Sequence, residues 1–511
     1  MALADYFSKN ILAISQVLKK GSNEQFREIL NQTVVGIVFD DSVKENEGRV
    51  TLDLTVRLLS RLYPKLNFIN HTLKKNKHTE ELVKLSKAIN SKIEIVDEKP
   101  TIIIVIGKTT IPKKNIKHPV FYVGSDGWIV KFSAKEPVGS GNSLIPCGAG
   151  VSACIGASNI FRYVFRDFIP DVNYDESFSL SLITLQIEKN ESKLKIKNID
   201  LDKSILVGFG AIGNGVIWTL ANMPIIKGEL TIVEPEDIEI TNLQRYVLAE
   251  ERHIEKPKIK IAQEFQKNIS LKLNLLQTDW AGYLSLKNNW KNRCILLSID
   301  NIQDRIYVQS SIPKEIINSY TENNLIGISR HYKFGEEACL MCTYMPNEKK
   351  KSYSQEVSDN LGLSNMENII REYLYYNKSA DEQLIKWIAE SNKIDYKILE
   401  EYIGIPVSEF YAKVVCGGIL LELRKDKNII NLEAPLAFQS TMAGILLISE
   451  IIVKKIGLRK KKIKNITHFY PLDPIKSRIN PYTHSFQKDN TGRCICNDDD
   501  FLNAYNNKWN I

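Results

Sequence analysis

The sequence predicts an α/β protein built from two sheet-forming halves. One is a nucleotide-binding unit; the other, ahead of it, is a unit of the same kind without the nucleotide-binding turn. Three observations predict this. Apolar runs of strand length alternate with helix-patterned stretches from Val34 onward, the pattern of sheets with helices on their faces. A Gly-x-Gly-x-x-Gly run, Gly208 to Gly213, stands between one such strand and a helix. A polar, tyrosine-rich stretch over 347–412 carries helical spacing and interrupts the second half as an insertion.

A chain of 511 residues exceeds one ordinary core and implies two or three domains. The first spans 1–187. In it Val34–Asp40 and Thr101–Gly107 read as short buried strands, and His118–Phe132 supplies one or two more. Arg49–Leu62 has helical apolar spacing, and the small-residue stretch Gly148–Phe165 reads as a helix able to pack tightly on a sheet. Neither early strand is followed by a phosphate-binding glycine turn. A polar stretch, Glu188–Lys203, leads into the second sheet domain, assigned to 188–346 and 413–511 around the insertion. No repeat occurs at a period of 20–50 residues.

With 43% hydrophobic and 25% charged residues the composition is that of a globular protein. No apolar run approaches the roughly 20 residues of a membrane span, and the N-terminus lacks the pattern of a secretion signal. These features predict a cytosolic protein without a membrane partner. The formal charge of +8 comes mostly from scattered lysines. Its one dense run, Lys454 to Lys464, lacks interleaved aromatics and reads as a solvated helix end and loop, which argues against nucleic acid as a partner.

The strand Ile205–Val207 runs into Gly208, Gly210 and Gly213, with a helix beginning near Asn214. Glycines let the backbone turn tightly against phosphate, and the helix N-terminus offers free N–H groups and a positive dipole end. Glu234 closes the next strand, 26 residues after Gly208, where an acid accepts from ribose hydroxyls. This much fits NAD as well as ATP. Asn242, Arg245 and Lys258, clustered past that strand, favour a triphosphate, because an arginine and a lysine neutralise β- and γ-phosphates. Asp300, at the tip of a further strand, suits a Mg²⁺ ligand, with a helix N-cap as its structural alternative.

The order Gly-x-Gly-x-x-Gly, acid-x-acid, Asn-Leu-x-Arg, Lys-Pro-Lys and Asp-Asn-x-x-x-Arg resembles the ubiquitin-activating superfamily of ThiF-like adenylyltransferases over about 203–345, with looser similarity to about 455. The resemblance implies a Rossmann-like adenylation domain preceded by a degenerate, inactive Rossmann-like domain. It further implies that Glu234 holds the ribose, that Asn242, Arg245 and Lys258 hold the triphosphate, and that Asp300 holds Mg²⁺. Two departures stand out: the ribose acid is usually Asp, and the residue after the arginine is usually Gln but here is Tyr246. The two-half arrangement also resembles bacterial versions from anti-phage ubiquitin-like conjugation operons.

Eight cysteines in a chain of this length do not form a disulfide framework, and Cys147, Cys154 and Cys294 read as small core residues. The resemblance implies a structural Zn²⁺ held by Cys339 and Cys342 together with Cys494 and Cys496, although the single residue between the last two strains chelation by both. It also implies that Cys416, beside Gly417 and Gly418, accepts the activated carboxylate as a thioester. The expected partners are a ubiquitin-like protein ending in a glycine tail and a conjugating enzyme, and a homodimer is among the assemblies the family allows. Arg245, Lys258 and Asp300 would then serve the adenylation step and Cys416 the transfer. Two other readings remain: a sulfur-carrier adenylyltransferase, and a scaffold that only binds nucleotide.

Overall fold

The computed structural model describes residues 6–18, 21–72, 75–112, 118–169, 173–187, 196, 198–286, 291–322, 325–345, 352–411, 414, 435–472 and 481–510. These form two compact units. One, built from 24–345 and 435–511, contains both sheets. The other, from 5–23 and 346–434, is helical.

The first sheet begins with β1 (Val34–Phe39), β2 (Lys65–Asn70), β3 (Glu94–Ile95) and β4 (Ile102–Ile106), and continues with β5 (Val120–Asp126), β6 (Ile129–Ser133), β7 (Phe178–Ser181) and β8 (Gln186–Ile187). Its order is β3-β2-β1-β4-β5-β6-β7-β8. The first five positions are parallel and the last three strands antiparallel. Every residue of β1 and β4 is buried, which is why both read as unbroken apolar runs: a parallel strand covered by helices on both faces has no solvent side.

The second sheet contains β9 (Ile199–Val207), β10 (Ile226–Val233), β11 (Lys272–Leu276), β12 (Cys294–Leu297), β13 (Glu315–Glu322), β14 (Leu325–His331), β15 (Ile466–Phe469) and β16 (Tyr482–His484). The order β11-β10-β9-β12-β13-β14-β15-β16 repeats the first sheet strand for strand, parallel and antiparallel pairings included. The chain therefore folds the same Rossmann-like plan twice, a repeat far longer than the 20–50 residue periods that were negative in the sequence.

Each half contributes one long small-residue helix after its sixth strand, Cys147–Val164 and Ala437–Lys455, and the two pack together. Glycine lets the core close. A Cβ on Gly444 would lie 2.1 Å from the carbonyl oxygen of Ile212, and one on Gly150 would lie 2.6 Å from the Trp218 ring, so helix backbones approach where a side chain would hold them apart. Helix Ala437–Lys455 is long and apolar enough to cross a membrane, yet 94% of its apolar window is buried in the fold. Its Glu450 pairs with Arg330 (2.7 Å) and Arg459 (2.6 Å), both largely buried.

The basic run that ends this helix and continues past it is ion-paired at Lys454 with Glu315, at Lys455 with Asp202 (2.7 Å) and at Lys462 with Glu337 (2.6 Å). In the helical unit, Tyr353–Asn360, Glu367–Tyr375 and Glu382–Asn392 bury Ile370, Leu384, Ile385 and Ile388 as a core of their own. The N-terminal helix Phe7–Leu18 belongs to this unit by its place in the chain's division.

Candidate functional site: a glycine turn beside Glu234, Lys258 and Arg245

Strand β9 ends at Val207, and Gly208 turns the chain with φ +88°, a conformation costly for any residue with a Cβ. A Cβ there would also stand 2.6 Å from Cγ2 of Ile299. The following helix, Ala211–Ala221, starts three residues earlier than the sequence predicts, with Gly210 as its N-cap. Gly213 thus lies inside the first helical turn, packed on Phe209 and the Gly208 carbonyl. The N–H groups of that first turn have no partner within the helix, and they face the end of the sheet where the parallel strands finish.

The turn is pinned from three sides. Gly208 N donates to Val233 O at 2.9 Å, and Ser298 Oγ donates to Gly208 O at 2.8 Å. Phe209 N donates to Oε2 of Glu234 at 2.6 Å, while Glu236 N donates to Oε1 at 3.0 Å. Glu234 is therefore built into the turn as well as placed at the strand end where the sequence predicts a ribose ligand. It is only 4% exposed, and burial raises its pKa above the ordinary carboxylate value against the pull of Lys258.

Lys258, also buried, lies 3.8 Å from Glu234 and is ion-paired with Glu236. Burial alone would favour its neutral form, but Tyr246, Glu234 and Glu236 outweigh it and hold the ammonium charged, with its pKa above the usual lysine value. Tyr246 connects the cations to the turn. Its hydroxyl is 3.4 Å from where a Cβ of Gly210 would stand, Lys258 Nζ lies 5.5 Å and the Arg245 guanidinium 5.7 Å from its ring. One terminal nitrogen of Arg245, Nη1, is buried with no hydrogen-bond partner among the described residues. A buried donor without an acceptor costs about 1–3 kcal/mol, a deficit that an incoming phosphate oxygen would remove. This orphaned donor is the observation that makes the cradle fit an anion.

Asn242 is buried, and its Oδ1 accepts from Glu239 N at 3.0 Å, closing the short turn Ile240–Gln244 that carries Arg245 forward. Asp300 is exposed at the end of the β12 loop. The N-cap of helix Ile302–Ser310 is Asn301, whose side chain accepts from Gln303 N and Asp304 N, so Asp300 is spared that structural role. Arg305 braces the loop by donating twice to Ile299 O. Asp304 has a raised pKa, from burial first and then from the charges of Asp300, Asp279 and Glu236. Negative charge gathered around Asp304 in this way suits a divalent cation. Sequence reasoning missed Phe209, Ser298 and Asp304, which act through a backbone amide, a hydroxyl and a charge and belong to no spaced pattern.

The corresponding place in the first sheet is filled differently. Asp40 follows β1, and its carboxylate accepts from Ser42 N (2.9 Å), Lys108 N (2.6 Å) and Thr109 Oγ1 (2.9 Å). A fixed negative charge stands where the second half has its glycine turn, and it would repel a phosphate.

The remaining cysteines sort into two kinds. Cys147, Cys154 and Cys294 are buried, and burial raises their thiol pKa values, that of Cys147 to about 12. Cys339, Cys342, Cys494 and Cys496 meet with all four sulfurs within 4.8 Å of one another. Individual S···S separations are 3.4–3.8 Å. A tetrahedron with Zn–S bonds of about 2.3 Å has edges of about 3.8 Å, so the four thiols fit a zinc ion. The single spacer between Cys494 and Cys496 does not prevent this, because the short turn Ile495–Asn497 brings both sulfurs to the same side. Cys416, with Gly417 and Gly418, lies outside the described residues.

The fold is that of an α/β protein of the adenylyltransferase type. Residues 181–496 match the ThiF family, and the chain belongs to it. Residues 38–166 match a family described as Prokaryotic E2 family C. Over its whole length the chain is 34% identical to "Uncharacterized protein y4jF" of Sinorhizobium fredii, spanning 98% of that protein. It is 32% identical over 23% of its length to ubiquitin-like modifier-activating enzyme 6 of Mus musculus, covering 12% of that protein. It is 26% identical over 28% of its length to adenylyltransferase and sulfurtransferase MOCS3-1 of Zea mays, covering 30% of that one. Among solved structures, Escherichia coli MccB in complex with an MccA peptide aligns with 57% of this chain and 66% of that one, at 16% identity and a TM-score of 0.34.

Proposed function

We propose that the chain adenylates the C-terminal carboxylate of a ubiquitin-like partner protein at the Gly208–Gly213 turn, using Mg²⁺ and ATP. The single observation that carries this is the convergence of Arg245, Lys258 and Glu234 on the turn, with a buried Arg245 nitrogen that lacks an acceptor. Membership of the ThiF family and the names of the mouse and maize relatives support the same chemistry.

In the reaction an oxygen of the partner's carboxylate attacks the α-phosphorus of ATP, and the bond from that phosphorus to the bridging oxygen breaks, releasing pyrophosphate. No protein base is required, because a carboxylate is ionised at neutral pH. The chain's part is positioning and charge stabilisation. First-turn N–H groups of helix Ala211–Ala221 hold phosphate oxygens, and Arg245 and Lys258 take up charge on the leaving pyrophosphate. Lys258 must exchange Glu236 for phosphate as it does so. Asp300 would hold Mg²⁺, which neutralises phosphate charge when bound. Cys339, Cys342, Cys494 and Cys496 would hold a structural Zn²⁺ that ties the C-terminal segment to the domain.

In the second step the Cys416 thiolate would attack the acyl carbon of the adenylate, releasing AMP and leaving a thioester for a conjugating enzyme. Mass spectrometry of a candidate ubiquitin-like protein incubated with the full chain and Mg·ATP tests both steps. The proposal expects an AMP adduct on the partner's C-terminus, and a thiol-sensitive partner–enzyme conjugate that disappears in Cys416→Ala while the adenylate persists. An adenylate with no conjugate in the wild type would favour the sulfur-carrier reading, to which the maize relative's name is the pointer.

A further inference from the structure

The first half has no glycine turn, but one of its side chains reaches the segment that carries Arg245. Arg61 lies in the last turn of helix Asn46–Leu62, is 1% exposed, and is among the largest fully buried side chains of the chain. Its Nη1 donates to Arg57 O of its own helix at 2.9 Å. Its Nη2 donates to two carbonyl oxygens of the other half, Tyr246 O and Ala249 O, each at 2.6 Å.

Those carbonyls belong to the turn directly after Arg245, where Ala249 N donates to Tyr246 O at 2.8 Å. The same strip is held from the opposite side by Asn214, whose Oδ1 accepts from Leu248 N at 3.2 Å, and Asn214 sits on the helix that follows the glycine turn. The segment that presents Arg245 and Tyr246 is thus suspended between a side chain of its own half and a guanidinium of the other. Neighbouring contacts reinforce the seam: Asp53 accepts from Trp218 Nε1 at 3.0 Å, and Ser91 donates through its amide (2.8 Å) and its hydroxyl (3.0 Å) to Glu251.

Burying a guanidinium is costly unless its donors are met, and an aliphatic side chain could fill the same space. Here both terminal nitrogens donate to backbone carbonyls, which fixes a turn. We propose that Arg61 is a positioning residue for nucleotide binding. Through this carbonyl clasp the first half holds Arg245 and Tyr246 against the glycine turn without itself touching the ligand. The inference rests on the reading of Gly208–Gly213 as an ATP site.

The test uses the full chain and titration calorimetry with Mg·ATP, with thermal unfolding of the ligand-free protein measured alongside. Arg61→Met keeps the buried volume and removes the donors; Arg61→Lys restores a cation able to reach a carbonyl. The expected result is ATP affinity about tenfold weaker in Arg61→Met, the scale of one charged hydrogen bond, with part of it regained in Arg61→Lys. A double variant with Arg245→Ala separates positioning from bulk stability. If Arg61 acts through Arg245, Arg61→Met adds little once Arg245 is gone, whereas a general stability loss adds in full. Wild-type affinity in a folded Arg61→Met, or losses that simply add, would overturn the proposal. Should Arg61→Met not fold, Arg61→Lys alone and combined with Arg245→Ala decides by the same additivity criterion. Failure of the wild type to bind Mg·ATP would instead remove the ATP reading itself.

Discussion

Phe209 and Glu234 meet across 2.6 Å, the amide of one donating to Oε2 of the other, so the carboxylate that ends the second strand also closes the glycine turn. This double duty sets Glu234 apart from a simple ribose ligand. Glu234→Gln keeps an acceptor for Phe209 but removes the charge that faces Lys258. It is expected to weaken Mg·ATP binding and to lower the melting temperature moderately, because the Glu236 amide, which now donates to Oε1, would then face the new NH2 group. Glu234→Ala leaves two backbone amides without an acceptor and should cost about 1–3 kcal/mol of stability as well. Calorimetric titration and thermal unfolding of the two variants check this. Equal losses of stability in both would show that the turn does not depend on the carbonyl-type acceptor.

Gly208 and Gly457 provide a controlled pair. Both have positive φ, +88° and +64°, but a Cβ on Gly208 meets Ile299 at 2.6 Å, whereas one on Gly457 meets nothing within 4 Å. Gly457→Ala should lose only the cost of a left-handed residue, about 1–2 kcal/mol, and keep full nucleotide affinity. Gly208→Ala should lose stability further and also lose ATP binding, because the backbone at the phosphates must shift. Unchanged ATP affinity in Gly208→Ala would contradict the assignment of the turn.

Glu450 gives a pH dependence with a definite sign. Burial opposes its ionisation, yet Arg330 and Arg459 outweigh burial and hold its pKa at about 2, against 4.5 for the free side chain. A carboxylate with a depressed folded pKa stabilises above its unfolded pKa, and that contribution fades as pH falls from about 4.5 toward about 2. Glu450→Gln leaves Arg330 buried without its partner and should cost about 3–5 kcal/mol at neutral pH. Thermal unfolding as a function of pH should then show a shallower acid limb in the variant than in the wild type. Parallel limbs would assign acid sensitivity to other groups.

The four-thiol cluster makes its own prediction. Purified protein should contain about one zinc per chain, and a strong chelator should lower its melting temperature. Cys494→Ser should lose the metal and loosen the segment Ile495–Trp509, read as faster amide hydrogen exchange there. Metal analysis that finds no zinc in protein prepared without chelators would leave the cluster as packed thiols.

How much of this was legible in the sequence follows from how local each feature is. Gly208, Glu234, Arg245 and Lys258 fall within one continuous stretch, 208–258, so their spacing alone pointed to one crevice. Cys339 and Cys494 are 155 positions apart, and only the resemblance joined them. Asp300 had a helix cap as its alternative, and the structure gives that role to Asn301. The edge strands β3, β8 and β16 are two or three residues long, too short for any periodicity. Neither the duplicated sheet order nor the Arg61 clasp was visible, because both are made of backbone pairings and backbone carbonyls, which leave no side-chain pattern behind.

The central claim is that Arg245 and Lys258 serve the adenylation of a carboxylate, and ATP–pyrophosphate exchange tests it most directly. Labelled pyrophosphate should enter ATP when the full chain is mixed with its ubiquitin-like partner and Mg²⁺. Exchange should fall by about a hundredfold or more in Lys258→Ala and in Arg245→Ala, and should vanish when the partner's terminal carboxylate is amidated. Exchange that persists with the amidated partner, or that survives both substitutions, would contradict the account.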